Sequence, residues 1–358
     1  MSSYERISYQ RHRVCRLRSM NRRQFFGSLV LLAAGCKLNV SAQELFQVRM
    51  TDPGCSPELF EATYEELRKL QGLDDGLSDK QRLAKARAWL GGSPEFRPKL
   101  AASGRWSHAS FEGRELAVRV LEPPGRSRGV VLSIHGGGWT MGCASSDEAF
   151  NAELARTQHV TVVSPEYRLA PEHPYPAAPD DCELVARWLL ADSKKEFATT
   201  RLGIIGFSAG SHLAALTLTR LSVAERERFR RAIFFYGVFD LARNERWRAG
   251  TDETYPDLSP SSMNLCLKRF APNTSDEERS DPRYSPLNAD LGNMPPALFL
   301  VGSADLLYPD TRKMAEKWGR SGNPAELVTY QGAPHGFNGY EIEWKLNPNI
   351  YARRFMRL

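Results

Sequence analysis

The chain contains no Cys-x-x-Cys pair, no apolar run of membrane-spanning length and, past its first 42 residues, no surplus of positive charge. A bilayer core needs about 20 consecutive apolar residues, and the sustained apolar stretch that ends at Gly35 is shorter than that. Without a Cys/His cluster at ligand spacing there is no metal signature, and neither metal nor cofactor is expected. The formal net charge is +6, yet residues 1–42 hold eight Lys/Arg against one acid, which leaves 40 basic and 41 acidic residues in the body. A nucleic-acid-binding role loses its electrostatic footprint on that count, and no nucleic-acid partner is expected.

What the first 42 residues do contain is a targeting pattern. NRRQFFGSLVLLAAG sets Arg22 and Arg23 ahead of Phe25, Phe26 and an apolar stretch, and Val40-Ser41-Ala42 supplies small residues for cleavage before Gln43. This resembles a bacterial twin-arginine export signal, with Met20 as an alternative start, and predicts a periplasmic or extracellular protein. Ala33-Ala34-Gly35-Cys36 also partly matches a lipoprotein box, with alanine where leucine is usual, so a lipid anchor at Cys36 is the weaker alternative. Export would permit disulfides among Cys55, Cys143, Cys182 and Cys266, although buried free thiols fit equally well.

Residues 43–105 are mixed, with a helical pattern over Ser56–Gln71 that Ser56 caps and Pro57 opens. Glu115–Pro123 alternates like a half-buried strand. Short runs rich in Val, Ile and Phe then recur: Val130–Ile134, Val160–Ser164, Leu202–Phe207, Ala232–Tyr236 and Ala297–Val301. Helical patterns such as Asp180–Asp192 and Thr311–Arg320 separate them. Continuous apolar strands alternating with helices predict an α/β fold, a mostly parallel sheet with helices on both faces. Asn244–Asn288 breaks the rhythm; it is polar and too long for an ordinary connection, and reads as an insertion above the sheet.

GFSAG, Gly206–Gly210, follows one of these strands and precedes a helical run. A serine at a sharp strand-to-helix turn stands exposed at the C-terminal edge of the sheet, and small residues two places either side let strand and helix approach. Ser208 is therefore the candidate nucleophile. A hydroxyl needs a base, and of seven histidines His335, in the Gly/Pro-rich loop GAPHGFNGY after Ala325–Tyr330, is placed for it. His12 falls in the leader, His108, His159 and His173 have structural surroundings, and His212 is expected to face away from the cleft. Asp305, just past the strand ALFLV, is the expected carboxylate; its rival Asp310 follows Pro309 and looks like a helix N-cap.

The run HGGGW, residues 135–139, places three glycines at a strand end, at a cost of roughly 1 kcal/mol each in backbone entropy. Acyl transfer needs amide donors aimed where an oxyanion forms, and glycines let a backbone approach the substrate closely. Gly137, Gly138 and Ala209 are the candidate donors, Gly136 shapes the turn, and His135 orders the loop. Trp139 and Phe207 fit a small acyl pocket and core packing equally well, and Arg168 with Glu172 reads as a structural ion pair.

HGGGW, PEYRLAPEHPYPAAPDD, GFSAG, the Asp305-Leu306 pair and HGF in this order resemble the hormone-sensitive-lipase-like esterases of the α/β-hydrolase superfamily. The resemblance spans roughly residues 106–340 and implies Ser208, Asp305 and His335 as a triad, with Gly137, Gly138 and Ala209 as oxyanion donors. It also implies a cap, for which residues 43–105 (as helices) and 244–288 are the candidates, around a catalytic domain of residues 106–358. GFSAGS stands where GDSAGG is usual, and GFSAG followed by His-Leu-Ala is closer to exported acetyl esterases that act on acylated carbohydrates. The expectation is a serine carboxylesterase acting on short, acetyl-type esters as small-molecule substrates. An aryl formamidase or amidase would use the same triad. A non-catalytic ligand receptor on this fold would lack the histidine that His335 supplies.

Overall fold

Among the described residues the apolar runs become the centre of a nine-stranded sheet. The computed structural model describes residues 46–51, 78–90, 104–242, 258–339 and 346–358. Its strands are β1 (Phe46–Thr51), β2 (Arg105–Phe111), β3 (Arg114–Leu121), β4 (Val130–Ile134), β5 (Thr161–Pro165), β6 (Leu202–Phe207), β7 (Phe229–Phe235), β8 (Ala297–Gly302) and β9 (Ala325–Tyr330). Their order is β1-β9-β8-β7-β6-β4-β5-β3-β2. Every residue of β4, β5, β6 and β8 is buried, as expected where helices cover both faces and no water-facing side remains.

Every pairing is parallel except those of β3, which runs antiparallel to both β5 and β2. Glu112 and Gly113, both at positive φ, form the tight turn that joins β2 to β3. Helix α1 (Asp79–Leu90) precedes the sheet's main run, followed by α2 (Glu148–Gln158), α3 (Ala177–Phe197), α4 (Ala209–Arg220), α5 (Pro260–Phe270), α6 (Tyr308–Arg320) and α7 (Pro348–Phe355). No described helix is long and apolar enough to cross a membrane.

The expectation that residues 43–105 form cap helices needs correction. Phe46–Thr51 is an edge strand, parallel to β9 from Phe46 opposite Ala325 to Thr51 opposite Tyr330. The segment FQVRMT does alternate apolar and polar residues, the period-2 pattern of a strand, although at this sheet edge Val48 is exposed. The same stretch supplies α1, whose Arg87 donates to the carbonyls of Thr140 (2.8 Å) and Ala170 (2.9 Å) and pairs with Glu172 at 2.7 Å. The predicted export signal, the helix over Ser56–Gln71 and the first part of the 244–288 insertion lie outside the described residues. The described part of that insertion is helical: α5 begins at a Ser259 capping box with Pro260 in the first turn. Cys55 is also outside them, whereas Cys182 and Cys266 carry buried free thiols.

Candidate active site

Strand β6 delivers Ser208 at the turn into α4. Ser208 has φ 52° and ψ −118°, a left-handed backbone that a non-glycine residue adopts at a cost of about 1–3 kcal/mol. The flanking glycines explain how so sharp a turn closes. A Cβ on Gly206 would stand 2.3 Å from the Gly210 carbonyl oxygen, and one on Gly210 would stand 2.0 Å from that of Ile134. Either side chain would force β6, α4 and β4 apart.

Ser208 Oγ lies 2.9 Å from His335 Nε2, and His335 Nδ1 lies 2.8 Å from Asp305 Oδ2. Asp305 Oδ1 accepts the Leu307 N–H at 2.7 Å, so both carboxylate oxygens are engaged. The Asp305 side chain is fully buried, while 14% of the His335 side chain is exposed. The loops after β8 and β9 are stitched together, which brings these two side chains into register. Ala304 N–H donates to the Ala333 carbonyl (3.1 Å), Ser303 N–H to that of Tyr330 (2.9 Å), and Gly332 N–H to Ser303 Oγ (2.8 Å). Gly302 permits the contact, since a Cβ there would stand 1.9 Å from the Ala333 oxygen.

Three supports of His335 leave little mark in the sequence. Tyr236 presents its ring edge-on to the imidazole, 4.7 Å between centroids, and its hydroxyl donates to Asn338 Oδ1 at 2.5 Å. Asn338 and Asn349 then exchange two bonds, Asn338 Nδ2 to Asn349 Oδ1 (3.0 Å) and Asn349 Nδ2 to the Asn338 carbonyl (2.8 Å). Helix α7 thereby holds the histidine loop. Only the position of Tyr236 at the end of AIFFY hinted at this, because the asparagine pair joins segments with no shared pattern.

The glycine turn lies against Ser208. A Cβ on Gly136 would stand 2.9 Å from the Phe207 carbonyl oxygen and 3.3 Å from Ser208 Cβ. Gly137 (φ 107°) and Gly138 (φ 56°) occupy backbone regions that side chains disfavour. A Cβ at Gly137 would also stand 2.4 Å from the Met141 carbonyl oxygen, and one at Gly138 2.6 Å from Cys266 Sγ on α5. Ala209 opens α4 directly after Ser208. His135 stacks on Tyr167, with ring centroids 4.1 Å apart, and its Nδ1 lies 2.8 Å from the Gly136 carbonyl. Burial pushes the His135 imidazole down to about 4, so it is neutral at ordinary pH and orders the loop.

Four expectations change or resolve here. Trp139 and Phe207 are both core aromatics: Trp139 is fully buried and stacks on Phe270 at 4.6 Å, and Phe207 stacks on Phe235 at 4.8 Å. The nonpolar rings turn inward beneath the turn, and the acyl-pocket reading of the pair falls. Arg168 does not pair with Glu172; it makes a two-pronged bond to Asp181 (2.9 and 2.7 Å), because α3 carries that buried carboxylate under the loop. Asp310 is not an N-cap. Helix α6 starts two residues earlier, with Pro309 in its first turn, and Asp310 Oδ2 accepts the N–H groups of Phe239 (3.0 Å) and Asp240 (3.2 Å). His212 is buried beneath the turn, bonded to Trp139 and to the Tyr284 carbonyl.

Asp147, at the N-cap position of α2, makes no side-chain cap bond, and its buried Oδ2 has no hydrogen-bond partner among the described residues. Burial pushes this carboxyl up to about 7. The native state therefore holds the proton more tightly than the unfolded chain, and this group removes stability as pH rises from about 4 to about 7. Asp147→Asn abolishes that loss. The thermal midpoint of the variant relative to wild type is expected to climb through this window and then level off; a constant difference would refute the assignment.

Comparison with known proteins agrees with this geometry. Residues 131–339 match the family described as alpha/beta hydrolase fold. The chain is 30% identical over 236 residues to an ethyl acetate hydrolase of Pseudomonas putida, covering 63% of this chain and 72% of that protein. It is 29% identical over 258 residues to the carboxylesterase NlhH of Mycobacterium tuberculosis, covering 70% and 79%. Among solved structures, the carboxylesterase EstE1 from a metagenomic library superposes with a TM-score of 0.64 at 26% identity, over 84% of this chain and 94% of that one. A hormone-sensitive lipase from a metagenome library, 24% identical, shares the fold at a TM-score of 0.68 over 84% and 96%. With the parallel sheet, the serine turn and the glycine loop already in place, these matches assign the chain to the α/β-hydrolase family, among its carboxylic ester hydrolases.

Proposed function

We propose that this protein hydrolyses short-chain, acetyl-type esters through an acyl-enzyme on Ser208. The observation that carries the reading is the unbroken chain from Ser208 Oγ through His335 to the buried Asp305. His335 Nε2 takes the hydroxyl proton as Oγ attacks the ester carbonyl, and the same proton passes to the departing alkoxide. Water then attacks the acyl-serine with His335 again as base, releasing the carboxylic acid and restoring Ser208. Asp305 holds the proton on Nδ1 and balances the imidazolium. The N–H groups of Gly137, Gly138 and Ala209 are the proposed donors to the oxyanion, supported by the close approach of the glycine turn to Ser208.

The preference for small acyl groups is supported by the similarity to a relative named for ethyl acetate. An acylated carbohydrate as the natural ester is supported by GFSAG followed by His-Leu-Ala, and export by the twin arginine at Arg22 and Arg23. The test is a panel of p-nitrophenyl esters of increasing chain length, acetylated sugars and formanilides. The expected order is acetate to butyrate first, with formanilides inert; a preference for long chains or for the anilide would overturn the reading. Mass spectrometry of the exported protein is expected to find Gln43 at the amino terminus, whereas a lipidated Cys36 would replace that cleavage site with an anchor.

A further inference from the structure

The geometry points to His212 as the positioning residue of the glycine turn, an inference that rests on the ester-hydrolase reading of Ser208. His212 projects from α4, four residues past Ser208 on the helix that the serine opens, and is fully buried. Trp139 Nε1–H donates to His212 Nδ1 at 3.1 Å, and His212 Nε2 lies 2.6 Å from the Tyr284 carbonyl oxygen. An indole nitrogen only donates and a carbonyl only accepts. Both bonds therefore demand the same neutral tautomer, with the proton on Nε2. Burial favours that neutral form too, since it pushes the imidazole down to about 4.

Trp139 needs such a hold. Its φ of 60° is left-handed, a conformation that costs a non-glycine residue about 1–3 kcal/mol and persists only where the surroundings over-determine it. The indole is fixed on two sides, by the bond to His212 and by the stack on Phe270 of α5. Trp139 directly follows Gly138, so the dihedral it is held in sets where the turn's peptide groups point. Tyr284, at the far end of His212, stacks on Tyr175 with centroids 4.1 Å apart. One imidazole thus ties the nucleophile's helix, the glycine turn and the insertion together, and the amides of Gly137 and Gly138 keep their aim because of it.

Two substitutions in the full chain test this. Glutamine can accept from Trp139 through Oε1 and donate to the Tyr284 carbonyl through Nε2, whereas phenylalanine fills the space and makes neither bond. A misplacement of about 1 Å at a reacting centre costs about 100-fold, so His212→Phe is expected to lose about 10- to 100-fold in kcat on p-nitrophenyl acetate, per site titrated with a fluorophosphonate. KM stays within about threefold, and affinity for a trifluoromethyl ketone that mimics the tetrahedral intermediate falls in step with kcat. His212→Gln is expected to recover most of both. The amide signals of Gly137 and Gly138 and the indole N–H signal of Trp139 should shift in His212→Phe and stay near wild type in His212→Gln.

The inference is overturned if His212→Phe keeps wild-type kcat per titrated site, if its loss comes only from fewer titratable sites, or if glutamine rescues no better than phenylalanine. Unmoved glycine amide signals in His212→Phe would also overturn it. A wild-type protein that hydrolyses no ester would instead sink the functional reading, and those amide signals would still decide whether His212 positions the turn.

Discussion

Ser208→Ala is expected to lower kcat/KM for p-nitrophenyl acetate by about 10⁵-fold while leaving the fold intact, a loss of about 7 kcal/mol of transition-state stabilisation. The substitution is structurally mild. Alanine keeps the Cβ, the backbone bond from residue 208 N–H to the Phe235 carbonyl is untouched, and among the described residues the only side-chain bond removed is the one to His335. What disappears is the proposed nucleophile, and the proposed amide donors that remain can polarise a carbonyl but cannot attack it. Because the hydroxyl and the imidazole act as one unit, the double variant Ser208→Ala/His335→Gln should be no slower than either single one. A Ser208→Ala enzyme retaining a tenth of wild-type activity, or losses that multiply in the double variant, would end the acyl-enzyme mechanism.

Asp305→Asn is expected to cost about 10⁴-fold in kcat through the wrong histidine tautomer. Asp305 serves two donors at once, His335 Nδ1–H at Oδ2 and the Leu307 N–H at Oδ1. Asparagine has one carbonyl oxygen. If it serves Leu307, its NH₂ faces His335 and moves the imidazole proton to Nε2, where it opposes the serine hydroxyl. If it serves His335, its NH₂ opposes the Leu307 N–H, leaving two buried donors face to face. Asp310→Asn is the internal contrast: Asp310 accepts the Phe239 and Asp240 N–H groups, and burial pushes it up to about 6. Its substitution should spare kcat per folded molecule, because an asparagine Oδ1 can accept the same two N–H groups. The reverse pattern, activity lost at residue 310 and kept at 305, would exchange the roles of the two carboxylates.

Much of the site was legible because its parts are local. GFSAG at a strand end has one economical backbone solution, and the overlap that any Cβ at Gly206 or Gly210 would cause shows why those positions are glycine. HGGGW is similar, since a turn pressed against Phe207 and Ser208 leaves no room for side chains. The strands β4, β6 and β8 were visible as unbroken apolar runs. Strand β1 was less visible because an edge strand is short and needs only a weak alternation.

By itself, then, the chain's order of residues determined the central strands, the serine turn, the glycine loop and the choice of Asp305 and His335, all of which depend on patterns a few residues long. Only the tertiary structure decided which partners meet across long stretches of chain. Arg168 found Asp181 and left Glu172 to Arg87; Asp310 turned inward to hold a loop; Trp139 faced the core and found His212; and Asn349 reached back to Asn338. The physical reason is that a buried donor or acceptor must be satisfied by whatever the packed sheet and helices bring within about 3 Å, and that neighbour is set by the fold's geometry, with no trace in local spacing.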